Sequence, residues 1–343
     1  MTDIPFLDEW LDSALTVSVK TSGSTGEPKT MLVEKARMRA SALMTCDALG
    51  LQPGDTALLC MSTDYIAGKM MVVRAAERNL ALTVVRPSNR PLQGLTQPFD
   101  FIAMVPSQVY ETLLHTEEAA LIRQTRNLLI GGGAISKALR EALERLYATP
   151  GYIYNKVCAR ETNSRTPRVF SSYGMTETLS HIALREVIGE NAAEWYKPLP
   201  GISISLTDDN CLVIHAPQIC EKPIITNDIA EVSAEGFKIV GRKDNVICSG
   251  GIKIQTEEVE ALLCTHLDAP FVITKRPDEK FGEAVVLLTE STDIARITDT
   301  CQSVLPPYWR PKDIIAVKKI PTTETGKPAR KQAETLAQAH LVR

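Results

Sequence analysis

Short apolar runs alternate with amphipathic stretches over the first two thirds of the chain, and this alternation restricts the fold more than any other feature. Compact apolar runs that end at Pro, Gly or a charged residue occupy residues 56–61, 81–85, 101–105 and 128–130, and an alternating run at 15–20 predicts a further strand. Amphipathic stretches of helical length occupy residues 35–49, 67–79, 107–115 and 136–147, and the first of them ends near Gly50. Strands and helices in this order predict a largely parallel, covered sheet with ligand loops at its carboxyl edge.

The pattern changes near Pro198, where short runs are separated by turns too short for crossover helices. These runs are residues 201–206, 212–215, 229–233 and 237–240, and they predict an antiparallel platform. Further on, strands near 246–248, 271–274, 284–289 and 314–317 are mixed with a helix from Glu257, capped by Thr256, and another at 294–304. The predicted fold class is α/β. A large domain at residues 1–243 would hold the mostly parallel sheet and the platform, and a small α+β domain would occupy 244–343.

Composition and charge exclude several classes of protein. A chain of 343 residues is long enough for about two domains. Lys and Arg number 38 against 41 Asp and Glu, so the net charge of −3 gives no reason to expect nucleic acid or an anionic membrane surface as a partner. No apolar stretch reaches the length of a membrane span, and the first residues do not resemble a signal peptide. The eight cysteines form no Cys-x-x-Cys pair, so we expect a cytoplasmic protein with reduced thiols, for which a homodimer stays open.

A glycine-rich loop follows the first predicted strand directly. Its chemistry-bearing residues are Thr21, Ser22, Gly23, Ser24, Thr25, Gly26 and Lys29. The backbone N–H groups, the hydroxyls and the lysine would together form a cradle for a polyphosphate. Pro28 stands where P-loop NTPases require Gly, so the loop is not that motif. A hydroxyl-rich surface turn is the alternative interpretation.

A second motif follows a short apolar run and reads Ser171-Ser172-Tyr173-Gly174-Met175-Thr176-Glu177. Tyr173 can stack on a base, Thr176 can hydrogen-bond a phosphate oxygen, and Glu177 offers the hard oxygen that Mg²⁺ prefers. A strand end followed by a helix N-cap at Thr176 is compatible with the same residues. The motif therefore favours a nucleotide site but does not require one.

Three more segments follow downstream. They are Ile225-Thr226-Asn227-Asp228, residues 241–254 with paired glycines at 250 and 251, and Pro321-Thr322-Thr323-Glu324-Thr325-Gly326-Lys327. Paired glycines allow a backbone to pack closely against a ligand. A charged linker followed by an edge strand would explain the charges of residues 241–254 but not these glycines. A single lysine in a glycine turn is usually only solvated. A functional role for Lys327 is therefore supported only by the motif around it and by the position of that motif in the chain.

Together, the segments resemble the signatures of the adenylate-forming superfamily, which includes acyl-CoA synthetases, peptide adenylation domains and luciferases. The resemblance covers essentially the whole chain. The portion that relatives usually carry before the glycine-rich loop is missing from this sequence, which is expected either of a naturally compact form or of a truncated chain. It implies ATP, Mg²⁺ and coenzyme A as ligands and a small carboxylic acid as substrate. One departure is Asn227, where relatives have Gly; we expect a mild effect because Asn tolerates left-handed backbone.

The resemblance also implies roles for individual residues. Lys327 would be the catalytic lysine that contacts the carboxylate and the α-phosphate, and Thr176 and Glu177 would act beside it, with Glu177 on Mg²⁺. Adenine and ribose would be held by Gly132, Gly133, Ala134, Ser172, Tyr173, Gly174, Asp228 and Arg242. Asp244 would be the hinge between the domains, and Ser249, Gly250 and Gly251 would contact coenzyme A. A helix N-terminal turn is the alternative for residues 132–134.

Flanking stretches at residues 66–75, 129–134, 171–180 and 196–201 resemble the o-succinylbenzoate–CoA ligases of menaquinone biosynthesis. That acid is a dicarboxylate, so the carboxylate that is not activated needs an anchor. Lys69 and Arg74 are the candidates, and a solvated helix cation is the alternative for each. Another aryl- or acyl-CoA ligase and a catalytically dead nucleotide-binding homologue are the competing hypotheses. A domain that loads a carrier protein is disfavoured because no carrier module follows Arg343.

Overall fold

The computed structural model describes residues 4–20, 30–148, 167–323 and 328–340. Within these ranges the helices are α1 (Pro5–Leu11), α2 (Lys35–Leu49), α3 (Ile66–Arg78), α4 (Pro106–Leu113), α5 (Thr116–Gln124), α6 (Lys137–Ala148), α7 (Thr256–Leu263), α8 (Ile294–Val304) and α9 (Arg330–Ala339). The strands are β1 (Thr16–Lys20), β2 (Thr30–Glu34), β3 (Thr56–Leu59), β4 (Ala81–Val84), β5 (Phe101–Met104), β6 (Asn127–Ile130), β7 (Arg168–Gly174), β8 (His181–Glu186), β9 (Lys197–Pro198), β10 (Ser203–Leu206), β11 (Cys211–His215), β12 (Ile224–Ser233), β13 (Gly236–Arg242), β14 (Val246–Ser249), β15 (Ile252–Gln255), β16 (Phe271–Asp278), β17 (Gly282–Thr289) and β18 (Asp313–Ala316).

Seven strands form the largest sheet, in the order β4-β3-β5-β6-β7-β8-β9. The pairs from β4 to β7 are parallel, and β8 and β9 extend the sheet as antiparallel strands. Successive residues of the central strands face opposite sides: Leu129 packs in a core with residues of α2 and α3, whereas Leu128 and Ile130 pack in a core with α4, α5 and α6. The predicted parallel sheet, covered on both faces, is confirmed.

Helix α3 is deeply buried in its central part, where every residue from Gly68 to Ala75 is buried. It packs against α2, which ends at Gly50 as predicted. Gly50 has a φ of 66°, and its N–H donates to the carbonyl of Cys46. Gly68 is required at its position because a Cβ atom would lie 2.1 Å from the carbonyl oxygen of Ser62. Any polar side chain in the buried segment from Gly68 to Ala75 must therefore find its partners inside the protein.

Two further sheets lie after the large one along the chain. Strands β10 to β13 form an antiparallel sheet in sequence order, which confirms the predicted platform. The last sheet has the order β15-β14-β17-β16, with β18 parallel to β17. Helices α7 and α8 cover one of its faces, and α9 packs on the other. This mixture agrees with the α+β character predicted for the last hundred residues.

Several elements differ from the sequence-based expectations. Thr256 is not an N-cap: it is the first residue of α7, and Gln255 precedes it without a side-chain cap. The reason is that β15, which was not predicted, runs directly into the helix. The elements α1, α5, α9, β2, β8 and β9 were not predicted either, and β1 pairs with β2 in a small sheet of its own. No helix in the described ranges is long and apolar enough to cross a bilayer.

Candidate active site

The carboxyl ends of β6 and β7 bring two of the predicted nucleotide-binding segments together. Ile130 and Ser171 are paired in the parallel ladder, so the residues that follow them lie side by side. The Ser172 hydroxyl donates to the carbonyl of Ile130 at 3.3 Å. Gly131 adjoins this contact, and Gly132 has a φ of 79°, which favours glycine. Gly132, Gly133 and Ala134, which follow β6, and Ser172, Tyr173 and Gly174, at the end of β7, thus belong to the same edge of the sheet, where ligands bind in sheets of this type.

The turn after β7 carries the predicted metal and phosphate ligands. Gly174 is obligatory there, because a Cβ atom would lie 2.4 Å from the carbonyl oxygen of Ser180. A short 3₁₀ helix, Thr176–Thr178, follows and holds Thr176 buried and Glu177 exposed. The Glu177 carboxylate makes no hydrogen bond or ion pair with the described part of the chain. An exposed, uncommitted carboxylate fits Mg²⁺, which typically takes one or two protein oxygens and completes its shell with phosphates.

Tyr173, Asp228 and Arg242 form one connected group. The Tyr173 hydroxyl donates to Asp228 at 2.5 Å, and Arg242 Nη1 donates to the other Asp228 oxygen at 2.9 Å. Asp228 and Arg242 are paired on neighbouring strands β12 and β13. The ring of Tyr173 packs edge-on against Phe237, with centroids 5.2 Å apart, and against Tyr196 at 5.9 Å. The group places a buried carboxylate, which can accept from ribose hydroxyls, next to the edge of the large sheet.

Asp244, the predicted hinge, is held from two sides. Asn227 donates its amide to both Asp244 oxygens at 3.1 Å, and Arg242 Nη2 donates at 2.9 Å. The expectation that Asn227 replaces glycine through tolerance of left-handed backbone is wrong, because Asn227 lies in β12 and has no positive φ. The asparagine instead provides a hydrogen bond that glycine cannot make.

Ser249, Gly250 and Gly251 form the tip of the hairpin between β14 and β15. Gly250 and Gly251 have φ values of 59° and 82°, which is the conformation of a two-residue hairpin turn. The N–H of Gly250 donates to the carbonyl of Phe281 at 2.8 Å, and a Cβ atom on Gly250 would lie 2.9 Å from the Phe281 ring. The paired glycines therefore have a structural reason, and the exposed tip is available to a ligand.

Lys69 and Arg74 lie on different faces of α3, and neither is a solvated helix cation, so that alternative is wrong for both. Lys69 is 8% exposed; its ammonium ion-pairs with Glu9 of α1 at 3.5 Å and lies 4.2 Å from the centroid of the Phe6 ring. Arg74 is 3% exposed and faces the turn before β8. Lys69 thus has a counter-ion within the protein.

Arg74 has polar neighbours but no counter-ion among the residues that the structure describes. Its Nη2 donates to the hydroxyls of Ser180 and, at 3.5 Å, Thr45, and its Nη1 lies 3.8 Å from the sulfur of Met71. Its Nε has no partner, and no acidic residue that the structure describes pairs with it. Burial lowers the pKa of Arg74 to about 10, so the guanidinium stays charged at neutral pH. A buried cation without an anion is costly, and such groups concentrate at functional sites.

Two predicted groups lie outside the described residues. They are the glycine-rich loop, with Thr21, Ser22, Gly23, Ser24, Thr25, Gly26 and Lys29, and the predicted catalytic residue Lys327. Their flanks are described. Lys20, the last residue of β1, pairs with Thr30, the first residue of β2, and Lys20 also bridges to Tyr65 at the start of α3. Thr322 bridges to Pro328, which closes the base of the segment that carries Lys327.

Comparison with known proteins assigns the family. The model of the family described as AMP-binding enzyme matches residues 15–217, and that of the AMP-binding enzyme C-terminal domain matches residues 258–327. The chain belongs to the AMP-binding enzyme family. It is therefore an adenylate-forming, ATP-dependent ligase of the acid–CoA ligase type.

Individual AMP-binding enzymes agree with this assignment. The 2-succinylbenzoate–CoA ligase of Listeria monocytogenes is 26% identical over 352 residues, which cover 94% of this chain and 70% of that protein. An acyl-CoA synthetase (AMP-forming)/AMP-acid ligase II-like protein from Dyadobacter fermentans is 35% identical, with a TM-score of 0.61 and coverage of 97% and 92% of the two chains. The o-succinylbenzoate CoA synthetase of Bacillus subtilis, in complex with the acyl-adenylate intermediate OSB-AMP, shares the fold at 21% identity, with a TM-score of 0.73 and coverage of 92% and 68%.

Several residues that contact the predicted site of this AMP-binding enzyme were not predicted from the sequence. Tyr196 and Phe237 support Tyr173, and Thr45, Ser180 and His181 surround Arg74. Ser180 and His181 directly follow the second motif, and their closeness to it was a usable signal. Thr45 and Phe237 carry no such signal. Thr45 lies more than a hundred residues before the motif, and Phe237 lies on another sheet.

Proposed function

We propose that this enzyme converts o-succinylbenzoate to o-succinylbenzoyl-CoA, at the expense of ATP and with Mg²⁺, as a step of menaquinone biosynthesis. The observation that carries the proposal is the buried guanidinium of Arg74, which forms no ion pair within the described ranges and lies next to the predicted nucleotide-binding turn. The names of the relatives from Listeria monocytogenes and Bacillus subtilis support the same acid.

No anion from residues 4–20, 30–148, 167–323 or 328–340 pairs with Arg74, and a dicarboxylate brings one. Ser180, which accepts from Arg74, is only half-buried, so the polar cluster reaches the surface of the site there. Pairing and hydrogen bonding of a second carboxylate would offset the cost of a buried cation. A monocarboxylate would leave that cost in place. Lys69 is the weaker anchor because Glu9 already neutralises it.

The chemistry needs charge neutralisation more than proton transfer. A carboxylate oxygen of the acid attacks the α-phosphorus of ATP, the bond to the bridging oxygen breaks, and pyrophosphate leaves. The nucleophile is already ionised, so no general base is needed. Two anions must approach each other, and fixed positive charges and N–H groups lower that barrier. In the second step, the thiol of coenzyme A loses its proton to solvent and its sulfur forms the thioester bond at the acyl carbon, while the bond from that carbon to the phosphate oxygen breaks and AMP leaves.

Named residues would divide this work. Lys327 would neutralise the attacking carboxylate and the α-phosphate, and Lys29 with the glycine-rich loop would hold the outer phosphates. Glu177 would hold Mg²⁺, which supplies charge stabilisation on the phosphates. Thr176 would donate to a phosphate oxygen. Asp228 and Arg242 would hold the ribose, with Tyr173 as their support.

Two domains, residues 1–243 and 244–343, would rotate about Asp244 between the two steps. Such hinge closure assembles one reaction at a time. The first position would bring Lys327 to the nucleotide, and the second would bring Ser249, Gly250 and Gly251 to the pantetheine arm of coenzyme A. The contacts of Asp244 with Asn227 and Arg242 would hold one of these positions.

A coupled assay with ATP, Mg²⁺, coenzyme A and o-succinylbenzoate tests the acid, with benzoate and a fatty acid as alternatives and mass spectrometry of the thioester as readout. We expect a thioester with o-succinylbenzoate alone. Arg74→Gln should raise the KM for this acid at least tenfold, since a charged hydrogen bond contributes about 1.5–3 kcal/mol. Lys69→Gln, which removes a buried cation from the same helix, is the matched control and should change this KM much less.

ATP–pyrophosphate exchange tests the class of reaction separately. Exchange should depend on the acid and disappear in Lys327→Ala. Full exchange in that variant would reject the lysine. A thioester with benzoate or a fatty acid at equal efficiency would favour another aryl- or acyl-CoA ligase. A complete lack of exchange with every acid tested would favour a catalytically dead homologue.

A further inference from the structure

The hydrogen bonds around Arg74 can each be assigned a direction. The Thr45 hydroxyl has one proton, and it donates this proton to the carbonyl of Ser41 at 3.1 Å. Its oxygen must therefore accept from both of its other neighbours, Arg74 Nη2 at 3.5 Å and His181 Nε2 at 3.2 Å. It follows that His181 carries its hydrogen on Nε2.

The other ring nitrogen of His181, Nδ1, accepts a hydrogen bond. Because burial, aided by the nearby Arg74 charge, lowers the pKa of His181 well below its ordinary value, the ring is neutral and Nδ1 is an acceptor. The Ser180 hydroxyl lies 3.3 Å from Nδ1 and donates to it. Ser180 Oγ is thereby left as an acceptor for Arg74 Nη2. Both hydroxyl oxygens thus present lone pairs to one nitrogen of the guanidinium.

This arrangement holds Arg74 on one side only. Within the described part of the chain, Nη2 has two fixed acceptors, whereas Nε has none and Nη1 has only the Met71 sulfur. The nearest acid on α2, Asp47, pairs with Arg78 and not with Arg74. We propose that Thr45 and His181 are positioning residues of the acid site: they orient Arg74 so that its free N–H groups receive the carboxylate that is not activated. The proposal rests on the proposed function and deepens it.

Thr45 offers a clean pair of variants. Thr45 is fully buried, so Thr45→Val keeps its shape and removes the hydroxyl, whereas Thr45→Ser keeps the hydroxyl and loses a methyl. For Thr45→Val we expect a five- to twentyfold higher KM for o-succinylbenzoate, a kcat within twofold, and an unchanged KM for ATP. Thr45→Ser should restore the KM to within twofold of the wild type. His181→Asn, which keeps an acceptor near Nδ1, should fall between the two.

A double substitution separates positioning from packing. If Thr45 acts through Arg74, adding Thr45→Val to Arg74→Gln should not raise the KM for o-succinylbenzoate further. Additive effects, or a Thr45→Ser variant as impaired as Thr45→Val, would overturn the proposal. So would a fall in kcat and in ATP affinity with no preferential change for the acid.

Nitrogen-15 NMR of labelled histidine gives a test that needs no substrate. The signal that disappears in His181→Asn should be that of a neutral ring protonated on Nε2 at pH 7.5. A ring protonated on Nδ1, or on both nitrogens, would overturn the positioning scheme. If the wild type makes no o-succinylbenzoyl thioester, the proposed acid fails, while this spectrum still decides whether His181 and Thr45 orient Arg74 as described.

Discussion

Tyr173 donates its hydroxyl hydrogen to Asp228 at 2.5 Å, and this bond joins the carboxyl end of β7 to strand β12 of the antiparallel sheet. Burial and the Asp228 charge raise the pKa of Tyr173, so the hydroxyl keeps its proton. With Arg242 on the other oxygen, both atoms of the carboxylate are oriented from within the protein. A preoriented carboxylate loses little freedom when it binds a ribose.

Tyr173→Phe should weaken nucleotide binding. The variant keeps the ring contacts with Tyr196 and Phe237 but removes a hydrogen bond to a charged acceptor, which contributes about 1.5–3 kcal/mol. We expect the KM for ATP in the exchange assay to rise about tenfold. Tyr196→Phe is the control, since that hydroxyl bonds to the uncharged Ser171 hydroxyl at 2.8 Å, and its effect on KM should be about threefold or less. Equal effects in both variants would contradict the role of the Tyr173–Asp228 bond.

In the proposed domain rotation about Asp244, the hydrogen bonds from Asn227 should slow the release of Asp244 from its present contacts. Removing its amide leaves the exposed Asp244 carboxylate held by Arg242 alone, so the effect should be small, about 0.5–1 kcal/mol or a two- to fivefold faster thioester step. Single-turnover mixing of the bound acyl-adenylate with coenzyme A measures this rate. Asn227→Gly and Asn227→Ala should behave alike, because both lack the amide. Acceleration by glycine alone would point to backbone freedom rather than the lost bond.

Gly250→Ala should impair the thioester step and spare adenylation. A left-handed φ costs a non-glycine residue about 1–2 kcal/mol, and the new methyl would lie 2.9 Å from the Phe281 ring. Gly251→Ala has the same backbone strain but no neighbour within 4 Å, so its effect should be smaller. The rate with coenzyme A and the exchange rate are measured side by side. An equal fall in exchange would show that the hairpin tip serves both steps.

The parts of the fold that follow from local pattern could be predicted. Helix α8 has the predicted bounds of 294–304, and Gly50 ends α2, because helical period and a left-handed glycine are encoded within a few residues. Strand β8 was missed because His181 to Leu184 are all buried, which erases the alternation of a half-exposed strand. Strand β15 was missed because it leads into α7 without a turn.

The candidate site was predictable only where one segment carries a function. Tyr173, Asp228 and Arg242 were named from their motifs, and the structure brings them into one hydrogen-bonded group. The surroundings of Arg74 could not be predicted, because its partner Thr45 is 29 residues away and Ser180 is 106 residues away. No local pattern reveals a contact at such separations. That no acidic residue of the described ranges pairs with Arg74 likewise emerges only from the folded structure.

His181 should make stability depend on pH. Its pKa is lowered well below the ordinary 6.5 because burial, and then the Arg74 charge, disfavour the proton, so below pH 6.5 the unfolded chain binds a proton that the folded chain does not. The contribution of the neutral ring is therefore complete above about pH 6.5 and is lost as the pH falls, by up to about 1.4 kcal/mol per pH unit. Urea unfolding at pH 7.5, 6.5 and 5.5 measures this slope. His181→Asn should flatten it between pH 6.5 and 5.5, whereas His266→Asn, at an exposed position, should keep it. Equal slopes in the wild type and His181→Asn would mean that the ring takes up its proton inside the folded protein, and the neutral-ring description of the Arg74 cluster would then be wrong.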